Sequence, residues 1–180
     1  IKASMFIDGI PKGKTSKKTI FFSKAIGKKV EYNSQYSDRY TGSGPLTLVD
    51  GLTGSIAHND NYWQGWHEDD MDVTIDLSKV ESLSRVSMGF LESHGSWIFL
   101  PARVMVSFSD DGNTYRKQIE IQITDGKRGG AANRVECKSE NLNVSARYVR
   151  IKAINRKKCP EWHPGSGGKT WVFSDEIIVE

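Results

Sequence analysis

The chain has few cysteines, few prolines and no long apolar run. Its 180 residues include two cysteines and five prolines, and no apolar run approaches the roughly 20 residues that cross a bilayer. We therefore expect no membrane insertion. Cys137 and Cys159 form neither a Cys-x-x-Cys pair nor a zinc-ribbon spacing. They could form one disulfide or remain two buried thiols, and the sequence leaves both open.

An excess of charge of one sign is also missing. The chain has 25 Lys and Arg residues against 22 Asp and Glu residues, for a net charge of +3. Nucleic-acid binding needs a clustered basic face, and the densest basic runs, residues 12–18 and 156–158, are short. We expect a solvated surface with no nucleic-acid partner, on a chain whose length suits one main domain.

Helical periodicity is nearly absent, and short alternating runs bounded by turn residues replace it. Apolar and polar residues alternate over 71–77, 104–108 and 148–153, with further apolar runs at 119–123 and 172–179. The turn sequence Ser-Asp-Asp-Gly-Asn joins the second run to the next as a hairpin. This pattern predicts an all-β protein, either a β-sandwich or a jelly roll, whose loops gather at the ends.

The first thirty or so residues differ from the rest. Residues 1–7 and 19–22 are predicted to be short strands joined by a lysine- and glycine-rich segment, and the Ser-, Tyr- and Gly-rich residues 32–45 indicate a loop or linker. We place a domain boundary near Tyr32, between residues 1–31 and 32–180. Because Ile1 lies inside a predicted strand, we expect the chain to be a fragment of a longer protein.

The turn Leu48-Val-Asp-Gly-Leu-Thr-Gly-Ser holds a carboxylate, a hydroxyl group and flexible backbone. Such a turn suits a hard cation with about six to eight oxygen ligands, many of them carbonyls, and calcium is the natural candidate. It is not an EF-hand, and an ordinary turn is the alternative. The four histidines show no local zinc-ligand spacing, so we do not expect zinc.

Tryptophans occupy several polar, glycine-containing segments. Trp66, Trp97 and Trp162 could stack on the apolar face of a sugar or could pack in the core, whereas Trp63 and Trp171 are assigned to the core. Prolines and glycines surround Trp162 and His163, which favours a shaped projecting loop, although a loop packed on its own domain is the alternative.

Carboxylates of the kind used by glycosidases are present in the loops, including Glu68, Asp69, Asp70 and Glu161. Acidic loop residues are usually solvated charges, and the chain has no nucleophile elbow, no P-loop and no dinucleotide fingerprint. We expect no active site in this chain.

Several motifs resemble those of the coagulation factor V/VIII type C, or discoidin-like, domain, over about residue 32 to the end. They are Leu48-Val-Asp-Gly-Leu-Thr-Gly-Ser, Asn61-Tyr-Trp-Gln-Gly-Trp, Asp72-Val-Thr-Ile-Asp-Leu, Gly89-Phe-Leu, Ser96-Trp-Ile-Phe-Leu-Pro, Ser107-Phe-Ser-Asp-Asp-Gly, Tyr148-Val-Arg-Ile-Lys-Ala and the segment from Trp162 to Ile177. Trp-Gln-Gly, Trp-Ile-Phe-Leu-Pro and Trp-His-Pro-Gly most resemble the C-terminal module of bacterial family 20 β-N-acetylhexosaminidases. Residues 1–6 and 22–29 resemble the last strands of the Ig-like domain, of the chitobiase C-terminal type, that precedes this module in those enzymes.

The resemblance implies a jelly-roll β-sandwich of the discoidin, or galactose-binding-domain-like, type, preceded by a short β-hairpin remnant of the Ig-like domain. It also implies a structural calcium ion. By position in the motifs, the implied calcium ligands are the carbonyls of Leu48 and Leu52, the carboxylate of Asp50, Ser55, the carbonyl of Asp175, and Glu176.

In the related family 32 carbohydrate-binding modules, the resemblance implies a shallow site for galactose or N-acetylhexosamine in the loops. Glu92, Ser93, His94 and Ser96 stand where the family has a basic residue and an asparagine, so either the ligand differs or the loop does not bind. The candidate contact residues are Trp66, Glu92, His94, Trp97, Trp162 and His163.

We therefore expect a non-catalytic carbohydrate-binding module that weakly tethers an exported glycoside hydrolase of the β-N-acetylhexosaminidase type to its glycan. Its expected location is the periplasm, the cell surface or the medium. The alternative is a structural domain that packs on its own catalytic domain and binds no sugar.

Overall fold

The computed structural model describes residues 2–17, 22–139 and 141–180, and these residues form eleven strands and two short 3₁₀ helices. The 3₁₀ helices are Thr47–Val49 and His94–Ser96. The strands are β1 (Lys2–Ile7), β2 (Ile10–Lys17), β3 (Lys29–Tyr32), β4 (Gln64–His67), β5 (Met71–Leu83), β6 (Val86–Glu92), β7 (Arg103–Ser109), β8 (Arg116–Ile121), β9 (Asn133–Lys138), β10 (Val144–Ile154) and β11 (Trp171–Val179).

Two antiparallel sheets form a sandwich. The first has the strand order β3-β5-β10-β7-β8, and the second has the order β4-β11-β6-β9. In β10, Val149, Ile151 and Ala153 are fully buried, whereas Arg150 and Lys152, one position out of phase, face outward. The alternation in the sequence thus gives each sheet one apolar face, and the prediction of an all-β sandwich is confirmed.

Two apolar clusters fill the interior. The larger lies between the sheets and includes Trp66, Phe90 and Phe108. The smaller consists of Trp63, Leu91, Ile98 and Phe173, with Tyr40 and Trp171 packed against it. Trp63 is 1% exposed, which confirms its assignment to the core, and Trp171 is half-buried against the same cluster.

The sandwich begins earlier in the chain than the predicted boundary. β3 is an edge strand of the five-stranded sheet, Ala25 is fully buried in the core, and the Lys24 N–H donates to the Val179 carbonyl at 2.8 Å. A boundary near Tyr32 is therefore too late, because a four-residue edge strand carries little sequence signal.

Residues 2–17 form a separate hairpin. β1 and β2 pair with each other as a two-stranded sheet. Of the second short strand predicted there, residues 19–21 lie outside the described residues, and Phe22 is not in a strand.

Both cysteines are buried and free, so they form no disulfide. Cys137 lies in β9 opposite Met88, and burial raises the pKa of its thiol to about 11. No helix within the described ranges has the length and apolar character needed to cross a membrane.

Candidate functional site

Three loops meet at one end of the sandwich and enclose a cleft of about 720 Å³. They follow β6, β8 and β10, which all end at this edge. Rigid strands therefore hold the loops in place, an arrangement typical of binding sites. The cleft lining includes Glu92, His94, Phe99, Leu100, Asp125, Gly126, Arg128, Arg156, Pro160, Glu161 and Trp162.

Glu92 and His94 form an ordered pair at the base of this cleft. Both are nearly buried, at 5% and 6% exposed, and His94 Nε2 lies 3.1 Å from Glu92 Oε1. His94 Nδ1 accepts the Gly129 N–H at 3.2 Å. Because Nδ1 is the acceptor, the proton of the neutral ring is on Nε2, which donates to the carboxylate.

The same carboxylate ties the neighbouring loop to β6. Glu92 Oε1 also accepts the Gly126 N–H at 3.2 Å. A side chain on Gly126 would overlap Glu92 Oε2, so the 122–132 loop passes directly over this oxygen. Oε2 makes no hydrogen bond within the described part of the chain, so the carboxylate keeps acceptor capacity.

Two aromatic rings lie beside the Glu92–His94 pair. The Trp162 ring centroid is 4.9 Å from that of His94 at an interplanar angle of 74°, and the Phe99 centroid is 6.1 Å from that of Trp162. Trp162 is only half-buried, so part of its ring faces the cleft. The structure thus brings Glu92, His94 and Trp162 together from two distant segments.

His163 has a different role from that of its neighbour Trp162. It is 5% exposed, its Nδ1 accepts the Gly165 N–H at 3.0 Å, and its Nε2 lies 2.9 Å from the His94 carbonyl. Nε2 is therefore the donor. His163 fastens its loop to the His94–Ser96 turn and does not line the cleft, which corrects its assignment as a contact residue.

Trp97 lies beside the cleft, outside its lining. It has a φ of 60°, in the left-handed region, a conformation that costs a bulky residue about 1–2 kcal/mol. Its side chain is 43% exposed, and its indole packs so closely on the loop that a Cβ at Gly165 would lie 2.9 Å from it. The ring is open to solvent and covers the glycines after His163.

Trp66 is a core residue. It lies in β4 and is fully buried, its Nε1–H donates to the Ser34 carbonyl at 3.2 Å, and its ring meets Tyr36 edge-on. No face of this ring can reach a ligand. The structure therefore removes Trp66 from the candidate contacts.

Sequence reasoning did not assign the charged residues of the cleft lining to a site. Arg156 donates from Nε to the Leu100 carbonyl at 3.0 Å and pairs through Nη2 with Asp125. Arg128 also lines the cleft. These residues come from the loops after β8 and β10, and the signal for Arg156, the basic run 156–158, was interpreted as a solvated surface.

A second candidate site lies where residues 48–55 pack on β11. The register of β11 with β6 is irregular between Ser174 and Ile177, a feature that re-aims side chains, and the two acids Asp175 and Glu176 lie in it fully buried. Glu176 Oε2 accepts the Gly51 N–H at 3.0 Å, whereas Oε1 is buried with no hydrogen-bond partner among the described residues. Burial raises the pKa of Glu176 to about 9.

Asp175 contrasts with its neighbour because its carboxylate is fully occupied. Arg134 donates from Nε to Oδ2 at 2.5 Å and from Nη2 to Oδ1 at 3.0 Å, and the Gly54 N–H donates to Oδ2 at 2.9 Å. Its side chain is therefore committed to the protein, which leaves the backbone carbonyl as its available ligand.

The turn itself supplies oxygen atoms. Asp50 accepts the Leu52 N–H at 2.8 Å and the Ser43 hydroxyl at 2.6 Å, and the exposed Ser55 accepts the Ala57 N–H through Oγ at 3.1 Å. The described residues contain no cluster of three His, Cys, Asp or Glu side chains. A metal here would instead be held by two carboxylates with carbonyl and hydroxyl oxygens, a donor set that fits calcium. The unpartnered Glu176 Oε1 fits the same ion.

The fold is shared with known sugar-binding modules. The lectin-binding domain of lectinolysin, solved with Lewis b, has a TM-score of 0.57 at 17% identity over 89% of this chain and 96% of its own. A Streptococcus pneumoniae fucose-binding module has a TM-score of 0.52 at 16% identity, covering 97% and 98%. Chitosan-binding module 1 of a chitosanase/glucanase from Paenibacillus sp. IK-5 has a TM-score of 0.51 at 15% identity, covering 89% and 99%.

At such identities the structural likeness establishes the fold. No curated protein sequence matches the chain. A family model, described as F5/8 type C domain, matches residues 29–172, which is most of the chain. The protein therefore belongs to the F5/8 type C domain family.

Proposed function

We propose that this domain is a non-catalytic carbohydrate-binding module whose ligand occupies the cleft at the loop end. The observation that carries the proposal is that the half-exposed Trp162 ring and Glu92, whose Oε2 makes no hydrogen bond in the described part of the chain, line the same cleft. An aromatic ring can stack on the apolar face of a pyranose, while a carboxylate accepts hydrogen bonds from its hydroxyls. Arg128 and Arg156, which line the same cleft, provide donors.

The ligands that the neighbouring structures name are all glycans. Lectinolysin was solved with Lewis b, and the other two neighbours are named for fucose and chitosan binding. These names support a glycan as the ligand class. The motif resemblance narrows the proposal to galacto- or N-acetylhexosamine-containing glycans, bound weakly.

The parent protein in this proposal is an exported bacterial glycoside hydrolase of the β-N-acetylhexosaminidase type. The Trp-Gln-Gly, Trp-Ile-Phe-Leu-Pro and Trp-His-Pro-Gly motifs support it. A module of this kind multiplies a weak affinity because attachment raises the effective concentration of the enzyme at its glycan.

The test is calorimetric titration of the chain with galactose- and N-acetylhexosamine-terminated oligosaccharides. We expect binding by the wild type, a loss of about five-fold for Trp162→Ala because one ring stack is worth about 1 kcal/mol, and partial retention for Trp162→Phe. Trp66→Phe, a core change away from the cleft, is the control. Absence of binding to every such glycan would sink the proposal.

We also propose that calcium binds between residues 48–55 and β11. The ligands would be the carbonyls of Leu48, Leu52 and Asp175, the carboxylates of Asp50 and Glu176, and Ser55. The ion would compensate the buried Glu176 oxygen and join the turn to β11. A chelator should then lower the melting temperature, and Asp50→Ala should abolish that effect.

A structural domain that packs on its own catalytic domain is the second candidate. The observation in its favour is the β1–β2 hairpin, where Met5, Phe6, Ile7 and Ile10 are each at least 51% exposed. Such a patch suits a protein contact. Deleting the module from the parent enzyme should then lower its stability without changing its substrate affinity.

A further inference from the structure

The outer face of the five-stranded sheet carries a groove that is separate from the loop cleft. Two depressions, of about 400 Å³ and about 300 Å³, share Tyr115 and Arg150 in their linings and therefore adjoin. The larger is lined by the outward residues of three neighbouring strands, among them Met105 of β7, Arg116 of β8 and Lys152 of β10. None of these residues lines the loop cleft.

Four cations line the larger depression: Arg116, Lys117, Arg150 and Lys152. Arg150 occupies both oxygens of Asp72, from Nε at 2.8 Å and from Nη2 at 2.7 Å. Lys152 Nζ lies 4.0 Å from Asp72 Oδ2, at the limit of an ion pair. Asp72 is therefore committed to Arg150, and the Lys152 ammonium group keeps its hydrogen-bond donors for another partner.

The other two cations also retain donors. Arg116 uses Nη2 for Asp110, at 2.9 and 3.0 Å, and for the Ser145 carbonyl at 2.7 Å. Lys117 Nζ donates to the Asn143 carbonyl at 3.3 Å. A guanidinium group has five N–H donors and an ammonium three, so both side chains can bind an anion without breaking these contacts.

An aromatic ring lies in the middle of the groove. Tyr115 is half-buried and lines both depressions, and the guanidinium carbon of Arg150 is 5.7 Å from its ring centroid. Tyr148, from β10, extends this surface into the second depression. Tyrosine rings provide flat apolar surface with a polar edge, which suits a pyranose ring.

We propose that this groove binds an acidic polysaccharide through its carboxylate or sulfate groups. The larger depression carries four cations, and the two carboxylates beside them, Asp72 and Asp110, are already paired with arginines, which favours an anion there. The second depression shares Arg150 and also contains Glu31 and Asp111, so the acidic groups of the ligand would lie in the larger one. Two adjoining depressions with tyrosines along them favour a chain of sugar rings over a small free anion. The site is independent of the cleft, since it is formed by strands of the sheet and the cleft by loops.

The test uses the whole chain with three polysaccharides: hyaluronan, which carries only carboxylates, chondroitin sulfate, which also carries sulfates, and neutral dextran. Affinity electrophoresis should retard the wild type in either or both acidic polymers and not in dextran. Binding to hyaluronan would show that carboxylates suffice, whereas binding to chondroitin sulfate alone would show that sulfates are needed. Added salt should weaken it, because exposed charges are screened.

The variant is Lys117→Glu with Lys152→Glu, for which we expect a loss of about ten-fold in affinity, since each substitution replaces an attractive charge with a repulsive one. The matched control is Lys24→Glu with Lys79→Glu, which changes the same net charge at exposed residues outside the groove. Melting curves and circular dichroism check that both proteins fold.

Four outcomes would overturn the proposal: no retardation by either acidic polymer, equal retardation by dextran, equal losses in the two double variants, or tighter binding to single-stranded DNA than to both polysaccharides. Trp162→Ala should retain acidic-polysaccharide binding. Loss in that variant would place the ligand in the cleft and overturn the assignment to the sheet face.

Discussion

The loop cleft and the turn beside β11 each contain a buried glutamate, and the two acids differ in their partners. Glu92 is bound by His94 and by the Gly126 N–H, and it lines the cleft. Glu176 has one N–H donor, and its other oxygen is buried with no partner among the described residues. The protein itself thus holds the cleft acid in place, whereas the proposed calcium ion would compensate the second acid.

One segment of chain joins the two regions. The loop that holds Trp162 and His163 leads into β11. This strand begins at Trp171 and carries Asp175 and Glu176 in its irregular section. The two regions therefore share this segment, while Glu92 reaches the cleft from β6, so mutations can separate the two sites.

The largest loss of stability should follow from removing the ion-pair partner of Asp175 in β11. Arg134→Ala removes the partner of Asp175, which is fully buried, and an unpaired buried charge destabilises by about 3–5 kcal/mol. Chemical denaturation measures the loss. Arg147→Ala is the control, because its partner Asp76 is partly exposed and the pair contributes at most about 1 kcal/mol. Equal losses in the two variants would contradict this account of Asp175.

The stability of the protein should depend on calcium through Glu176. At about 100 times its dissociation constant, calcium would stabilise the wild type by about 2.7 kcal/mol, and Glu176→Gln should abolish the response because a neutral amide is a weaker ligand. In chelator, the same variant should melt no lower than the wild type, since it removes a buried, unpartnered carboxylate oxygen.

Glu136→Gln, at an exposed position of β9, is the matched control and should keep the calcium response. Melting curves with and without calcium check all three proteins. An unchanged calcium response in Glu176→Gln would remove this residue from the site.

A smaller effect should show that a change in the cleft lowers glycan affinity without lowering the stability of the fold. In Gly126→Ala the new methyl group would overlap Glu92 Oε2, and we expect a loss in glycan affinity of about ten-fold, or 1.4 kcal/mol, with little change in melting temperature. Gly95→Ala is the control, since a Cβ there meets no atom within 4 Å. Unchanged glycan affinity in Gly126→Ala would exclude the Glu92 oxygen from the binding surface.

The strands were predictable because their signal is local. Alternation over 71–77 and 148–153 gave two central strands, which pair in register from Tyr148 opposite Asp76 to Ala153 opposite Met71. The short edge strand β3 was missed, and Trp66 was left open between core and contact, since the polar and glycine neighbours that suggested a loop belong to β4, which pairs with β11. Pairing partners so far apart in the chain leave no mark on the local sequence.

The sequence by itself determined the fold class, because alternation and turn chemistry act between near neighbours, and its motifs carried the resemblance to the family. It also named Glu92, His94 and Trp162 as candidates, and the structure places these three residues in one cleft. Only the tertiary structure decided that His163 bonds its loop to the His94 carbonyl. It also decided that Arg134 neutralises Asp175, whereas Glu176 has no such partner among the described residues. The placement of Arg116, Lys117, Arg150 and Lys152 on one sheet face was likewise visible only there. Those properties depend on burial and on distances between segments far apart in the chain, which the order of residues does not specify.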